Sequence, residues 1–139
     1  MFGSPFCFAS RVLSLSMNAT QFITIAPVLP TSDMQRDIAW YQEKLGLTVH
    51  HADDIYAVLY RENIVIHLQW HADTADDPLL GGSVFRIFVK NIQPFFEELI
   101  QRGAVTRDKF ITGTAWNTNE FGFYDLNKNA IFVVEDVTR

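Results

Sequence analysis

The chain has 139 residues, the length of a single domain. Its 11 Lys and Arg residues against 16 Asp and Glu residues give a net charge of -5, which argues against a nucleic-acid partner because phosphate binding needs clustered basic side chains. Apolar residues make up 48% of the chain, which predicts a packed globule rather than a disordered segment. No stretch approaches the roughly 20 apolar residues of a membrane span, so we expect no membrane partner.

The first twenty residues differ from the rest of the chain. They lack the charged start and the continuous apolar stretch of a signal peptide, and Met17 is a second candidate start. We expect residues 1–20 to lie outside a folded domain that spans residues 21–139. The single cysteine, Cys7, cannot form an internal disulfide, which favours a reducing compartment and a cytoplasmic protein.

Residues 22–72 read as a β-α-β-β-β unit. Residues 22–29 alternate like a strand that Pro30 ends, and Ser32 or Asp33 is placed to cap a helix that ends at Gly46. The helix carries four larger side chains on one face: Met34, Ile38, Tyr41 and Leu45. Three further strands are predicted, at residues 47–51, 55–61 and 63–70.

A second copy of the pattern occupies residues 83–136, after a polar linker at residues 73–82. Its predicted elements are a strand (84–90), a helix from Asn91 to Gly103 with Ile92, Phe96 and Leu99 inward, a weak strand (105–112), and a hairpin (120–125 and 130–135). Asp125, Asn127 and Asn129 have the spacing that starts a calcium loop, but the glycine and distal glutamate are missing, so we predict a turn. The fold class is therefore α+β, with two βαβββ modules whose curled mixed sheets each carry a helix outside.

Strand alternation divides the side chains into two faces. Facing the helices we expect Ile23, Ile25, Ile64, Ile66, Leu68, Phe85, Ile87, Val89, Ile131 and Val133. The concave faces carry Thr24, Ala26, Val28, His67, Gln69, Arg86, Phe88, Phe132 and Val134. This second set mixes polar and apolar groups, which is typical of a ligand pocket. Trp40, Tyr41, Phe95 and Phe96 have helical spacing and are expected in the core or in a dimer contact.

Several short motifs resemble those of the vicinal oxygen chelate superfamily, which includes glyoxalase, fosfomycin-resistance and extradiol dioxygenase proteins, and most of all those of bleomycin resistance proteins. They are residues 27–33 (Pro-Val-Leu-Pro-Thr-Ser-Asp), 39–46 (Ala-Trp-Tyr-Gln-Glu-Lys-Leu-Gly), 60–63 (Tyr-Arg-Glu-Asn), Trp116 with Glu120 and Phe121, and 125–129 (Asp-Leu-Asn-Lys-Asn), where the family usually has Asp-Pro-Asp-Gly. The resemblance covers residues 22–136. It implies the two-module fold given above.

Metal-using members of the superfamily hold their ion with side chains from the concave strand faces. The resemblance carries those positions to Ala26, His67, Val84 and Phe132, of which His67 alone has a donor atom. We therefore expect no metal and no other cofactor, and we interpret His67 as a hydrogen-bonded pocket residue. The alternative is a metal-dependent glyoxalase or dioxygenase-type enzyme, which requires a gap that shifts this alignment.

The resemblance implies a protein that sequesters a small molecule and does not transform it. The expected assembly is an intertwined homodimer whose two clefts hold a cationic, planar-ringed antibiotic or another aromatic compound. We predict nine ligand-binding residues: Trp116, His67, Tyr60, Tyr56, Phe88, Arg86, Glu120, Phe132 and Asp53. Trp116 is the first of these, because an indole in a polar loop can stack on rings and attract cations; a loop anchor is the alternative.

Three of these residues have competing interpretations. Asp53, beside Asp54, offers a carboxylate to an ammonium group, yet solvated turn residues have the same pattern. Arg86 disfavours a cationic guest unless Glu120 neutralises it, and it is compatible with an anionic or zwitterionic ligand. Glu120 near His67 or Arg86 is a candidate base for metal-free catalysis, although such a carboxylate more often forms an ion pair. A scaffold or regulatory dimer without a small ligand is a third hypothesis.

Overall fold

The computed structural model describes residues 18–138 as two sheets and two helices. The elements are β1 (Val28–Thr31), α1 (Met34–Leu45), β2 (Thr48–Ala52), β3 (Tyr56–Arg61), β4 (Ile64–Trp70), β5 (Val84–Phe88), α2 (Ile92–Gln101), β6 (Thr118–Tyr124) and β7 (Ala130–Asp136). The sheet orders are β1-β4-β3-β2 and β5-β7-β6. β1 is parallel to β4 and β5 is parallel to β7, whereas the other pairs are antiparallel. This arrangement confirms the predicted α+β fold.

The first strand is shorter and lies later in the chain than predicted. β1 begins at Val28 and includes Pro30, whereas Ile23 and Ile25, expected under a helix, are 93% and 94% exposed. The Pro27 carbonyl oxygen accepts a hydrogen bond from the His67 backbone N–H, but Pro27 has no N–H to donate. Pairing with β4 starts at the next residue, Val28. Pro30 is tolerated because β1 is the edge strand of its sheet.

The first helix has the predicted boundaries. The Asp33 side chain accepts a hydrogen bond from the Arg36 backbone N–H at its start, and Gly46 ends it in the left-handed conformation with φ 69°. Met34, Tyr41 and Leu45 are buried, and α1 packs against β2, β3 and β4. The inward face that the sequence predicted is thus the face that contacts the first sheet.

The second helix is capped differently from the prediction. Asn91 occupies the cap position with φ 58°, but its side chain makes no capping bond, and Glu135 accepts the Ile92 N–H instead, at 3.3 Å. The weak strand predicted over residues 105–112 is wrong, because that stretch contains a 3-10 turn at Arg107–Lys109 and pairs only at Ile111, with Glu120. The second module therefore has β-α-β-β order, with a single bridge where its second strand was expected.

Side chains from both sheets and both helices form one buried core. The expected inward residues Ile66, Leu68, Ile87, Ile131 and Val133 are all buried. One further expectation about faces is wrong, because Val134, placed on the concave face, is buried. No helix within residues 18–138 is long and apolar enough to cross a bilayer. Cys7, Met17 and most of the expected N-terminal extension fall outside the described residues.

Candidate functional site

Three neighbouring strands of the second sheet bring Arg86, Phe132 and Gly122 into register. Arg86 on β5 lies opposite Phe132 on β7, and Phe132 lies opposite Gly122 on β6. A Cβ atom at Gly122 would lie 2.7 Å from two carbons of the Phe132 ring, so glycine leaves the space that the ring occupies. The Arg86 guanidinium carbon is 5.5 Å from the centre of that ring, within cation-π range. Since Ile87 and Val133 point into the core, this cluster lies on the opposite face.

The carboxylate of Glu120 connects this cluster to the loop before β6. Glu120 is 5% exposed, and its Oε2 accepts three hydrogen bonds. The donors are the Thr118 hydroxyl at 2.6 Å, the Arg86 guanidinium at 3.0 Å and the Trp116 indole N–H at 3.1 Å. A single carboxylate oxygen thereby fixes two side chains that the sequence predicted as ligand contacts.

Glu120 stays ionised in this setting. Burial by itself raises the pKa of a carboxyl group, but the hydrogen bonds from Thr118, Trp116 and Arg86, with the positive charge of Arg86, together lower the pKa of Glu120 below its ordinary value. The predicted Arg86–Glu120 ion pair is therefore present, and the carboxylate is compensated by groups of its own chain.

Trp116 exposes 62% of its surface although its indole nitrogen is fixed. Its loop closes on itself, because the Thr114 N–H donates to the Thr118 carbonyl at 2.9 Å and the Asn117 N–H donates to the Thr114 carbonyl at 3.0 Å. Asn117 takes the left-handed conformation that such a turn needs. The result is an aromatic face open to solvent and held in one orientation, which is the form of a stacking surface.

Sequence analysis did not identify Thr118 as part of the site. Its hydroxyl contacts both Glu120 and the hydroxyl of Thr114, each at 2.6 Å, and it is buried. The signal was present, because two polar residues at positions i and i+2 of a strand share one face. A buried Thr beside a buried Glu indicates that the carboxylate is held in place.

Tyr56, His67 and Tyr60 form a second group, on the first sheet. The Tyr56 hydroxyl and His67 Nδ1 are 2.7 Å apart, and the two rings are nearly perpendicular. Tyr60 is exposed farther along β3, with its ring 6.3 Å from that of His50. No hydrogen bond or ring contact joins this group to Glu120 within residues 18–138. The predicted residues are thus divided between the two sheets, and His67 is hydrogen-bonded as expected.

Asp53 stabilises the turn in which it lies. Its Oδ1 accepts the backbone N–H groups of Ile55 and Tyr56, both at 2.9 Å, and its Oδ2 lies 3.1 Å from His51 Nε2. The two backbone hydrogen bonds lower the pKa of Asp53. These contacts support the interpretation of Asp53 as a turn residue. Both carboxylate oxygens already have partners within the chain, so neither is free for a ligand ammonium group.

Two adjoining cavities lie between the start of β4 and β5. The larger, about 630 Å³, extends to Arg61, Lys90 and Glu98, and the smaller, about 480 Å³, is bounded by residues 24–27, 63–66 and 85–88. Both have the size of small-molecule sites. Of the nine predicted ligand-binding residues, Phe88 lines both cavities and Arg86 lines the smaller; the other seven line neither.

The four positions that the resemblance assigns to metal binding do not together offer the donor atoms that a metal ion needs. His67 lies in the first sheet, Val84 and Phe132 lie in the second, and Ala26 precedes β1. Ala, Val and Phe side chains have no donor atoms. Within the described part of the chain, His, Cys, Asp and Glu form no cluster of three or more that is able to hold a metal ion.

Comparison with known proteins identifies the family. The model of the glyoxalase/bleomycin resistance protein/dioxygenase superfamily matches residues 22–132. A bleomycin resistance protein from Geobacillus stearothermophilus is 26% identical over 125 residues, which cover 80% of this chain and 95% of that protein.

Solved structures show the same fold. The bleomycin resistance determinant encoded on transposon Tn5 superposes with a TM-score of 0.67 at 16% identity, covering 83% of this chain and 98% of that one. The bleomycin-binding protein from Streptomyces verticillus, solved with copper(II)-bleomycin, gives 0.63 at 20% identity, covering 83% and 97%. With the family model matching most of its length, this chain belongs to the glyoxalase/bleomycin resistance protein/dioxygenase superfamily.

Proposed function

We propose that this protein binds and sequesters a small molecule with a planar aromatic ring, in the manner of the bleomycin resistance proteins to which it is similar. The observation that carries the proposal is Trp116, whose exposed ring is held by a hydrogen bond from its indole N–H to the buried Glu120. An exposed indole fixed before binding loses little conformational entropy when a ring stacks on it.

The relatives support this class of function. The Geobacillus protein is a bleomycin resistance protein, and the Streptomyces verticillus protein was solved with copper(II)-bleomycin. An antibiotic is therefore a reasonable ligand. Bleomycin itself is not required, because the turn at residues 125–129 departs from the usual family sequence and a shared fold does not determine the ligand.

We further propose that the protein works as a homodimer. Phe22, Ile23, Ile25, Val84 and Phe88 are exposed in the single chain, and β5 is an edge strand whose outer side pairs with no strand among residues 18–138. Apolar side chains next to an unpaired strand edge are usually covered by a partner. Light scattering at micromolar concentration is expected to give a mass twice that of one chain. The double substitution Ile23→Glu with Ile25→Glu is expected to lower the measured mass. A mass of one chain for the unaltered protein would contradict the dimer.

Binding is tested by fluorescence titration of the three tryptophans. We expect saturable quenching by bleomycin or by a member of a panel of planar aromatic antibiotics, with about fivefold weaker binding in Trp116→Ala, since one stacking contact contributes about 1 kcal/mol. Trp70→Ala is the control, because Trp70 is an exposed tryptophan at the end of β4. Mass spectrometry should recover the ligand unchanged. If no compound of the panel quenches the fluorescence of the unaltered protein, or if a bound compound is converted to a product, sequestration is contradicted.

A further inference from the structure

The charges around Trp116 indicate what kind of ligand the site accepts. The sequence predicts Asp53 as a carboxylate for an ammonium group and Glu120 as the group that neutralises Arg86 so that a cationic guest is tolerated. Each already accepts three hydrogen bonds from its own chain: Glu120 from Thr118, Arg86 and Trp116, and Asp53 from two backbone N–H groups and His51. A ligand ammonium group would have to displace one of these partners, which costs the hydrogen bond that is lost.

Arg86 is in the opposite situation. Arg61 and Arg107 each donate two hydrogen bonds to one glutamate, through both terminal nitrogens. Arg86 donates only one, from a single terminal nitrogen to Glu120, and makes no other hydrogen bond within residues 18–138. A guanidinium has five N–H donors in a planar fork that matches a carboxylate. Most of the Arg86 donors are therefore still available.

The smaller cavity provides surroundings in which those donors are effective. Of its twelve lining residues Arg86 alone is charged; the walls are mostly apolar and include Ile64, Ile66 and Phe85. The Arg86 side chain is 35% exposed, so a charge pair there is partly screened by solvent, although less than in bulk water. The smaller cavity therefore offers Arg86 to the negative group of a ligand, while the Trp116 ring lies outside this cavity.

The indole and the guanidinium are close enough to share one ligand. Both donate to Oε2 of Glu120, at 3.1 and 3.0 Å, so the two donor nitrogens are separated by no more than the sum of these distances. A ring bearing a carboxyl substituent spans a gap of this size. The Arg86 guanidinium also lies near the Phe132 and Phe88 rings, which restricts its orientation.

We propose that the ligand carries an oxyanion, such as a carboxylate, that binds to Arg86 while the attached planar ring lies on Trp116. This assignment rests on the proposed function and narrows it to aromatic acids and aromatic zwitterions. Arg86 is then the residue that determines the charge preference, and Trp116 the residue that determines the preference for rings.

Three probes with one ring system test the proposal: 2-naphthoate, 2-naphthamide and 2-naphthylmethylammonium, measured by calorimetry at pH 7.5 and low salt. We expect the unaltered protein to bind the naphthoate about tenfold more tightly than the ammonium compound, with the amide between them. Arg86→Gln should abolish this order, and Arg86→Lys should retain part of it. Arg107→Gln, which removes the same charge from an exposed ion pair, should leave the order unchanged.

The outcomes separate this inference from the proposed function. Trp116→Ala should weaken all three probes by a similar factor, because it removes the ring contact and not the charge. If binding depends on the Trp116 ring but the ammonium compound binds as tightly as the naphthoate or more tightly, the inference is overturned and the proposed function stands. A naphthoate preference that survives in a folded Arg86→Gln protein also overturns it. Failure of every probe to bind would count against both.

Discussion

Tyr41 on α1 donates a hydrogen bond of 2.5 Å to the carboxylate of Asp125, 84 residues farther along the chain. The tyrosine is 1% exposed and the aspartate lies in the turn between β6 and β7. Asp125 also accepts the backbone N–H groups of Asn127 and Asn129, so the turn that the sequence predicted in place of a calcium loop is confirmed. This contact joins the helix of the first module to the last hairpin of the second.

Tyr41→Phe tests that contact. The ring would still fill its place in the core, but a buried carboxylate would lose one partner, so we expect the free energy of unfolding to fall by about 1 to 3 kcal/mol. Urea denaturation measures the change. Tyr124→Phe is the control, since Tyr124 is exposed, and equal effects in the two variants would refute the assignment.

Gly122→Ala tests the packing under Phe132. The new methyl group would lie 2.7 Å from the ring carbons, so the ring must move away from its place beside Arg86. We expect a loss of about 1 to 3 kcal/mol in unfolding free energy, typical of overpacking. The same substitution in a Phe132→Leu background should cost less, and a double-mutant cycle with no coupling energy would contradict the contact.

Glu120→Gln tests the role of the carboxylate. Because the pKa of Glu120 is lowered in the folded protein, its stabilising contribution is complete above the ordinary carboxyl pKa of about 4.3 and is lost as the pH falls through the folded value. We expect tryptophan emission of the unaltered protein to change as this group is protonated. Glu120→Gln should remove that step and weaken ligand binding, whereas an unchanged acid titration would show that Glu120 does not hold Trp116.

Glu98 is expected to cause a second pH-dependent change in stability, at its contact with Arg61. Hydrogen bonds from Arg61 lower the pKa of Glu98 to about 2 against the opposing effect of burial, with a further contribution from Arg102. The stability that this group adds is therefore present above pH 4.3 and lost between about 4.3 and 2.

Denaturation at pH 7 and pH 3 measures the contribution of Glu98. Glu98→Gln should be less stable at pH 7, by about 1 kcal/mol after allowance for solvent screening, and should lose less on acidification. Glu97→Gln is the matched control, because Glu97 pairs with Arg107 in an exposed position. The two glutamates behaving alike would indicate that the Arg61 contact has no special weight.

Apart from the strand predicted at residues 105–112, the sequence alone determined the order of the elements and the inward faces of the helices. Met34, Tyr41 and Leu45 recur at helical spacing, and Ile66 and Leu68 alternate along a strand, because these periods are fixed by local backbone geometry. Asp33 and Gly46 mark the ends of α1 for equally local reasons. The family motifs contain Trp116 and Glu120, so the sequence offered both as candidates, whereas Thr118 was not identified.

Pairing partners were decided only by the tertiary structure. Whether residues 22–27 form a strand depends on a neighbour that the alternation of Ile23 and Ile25 does not specify, and Pro27 ends the pairing with β4 that they would need. The sharing of Glu120 between Trp116 and Arg86 arises because β5 and β6 flank β7, a relation between residues 34 positions apart. Local periodicity fixes which way a side chain points, but long-range contacts fix what it meets.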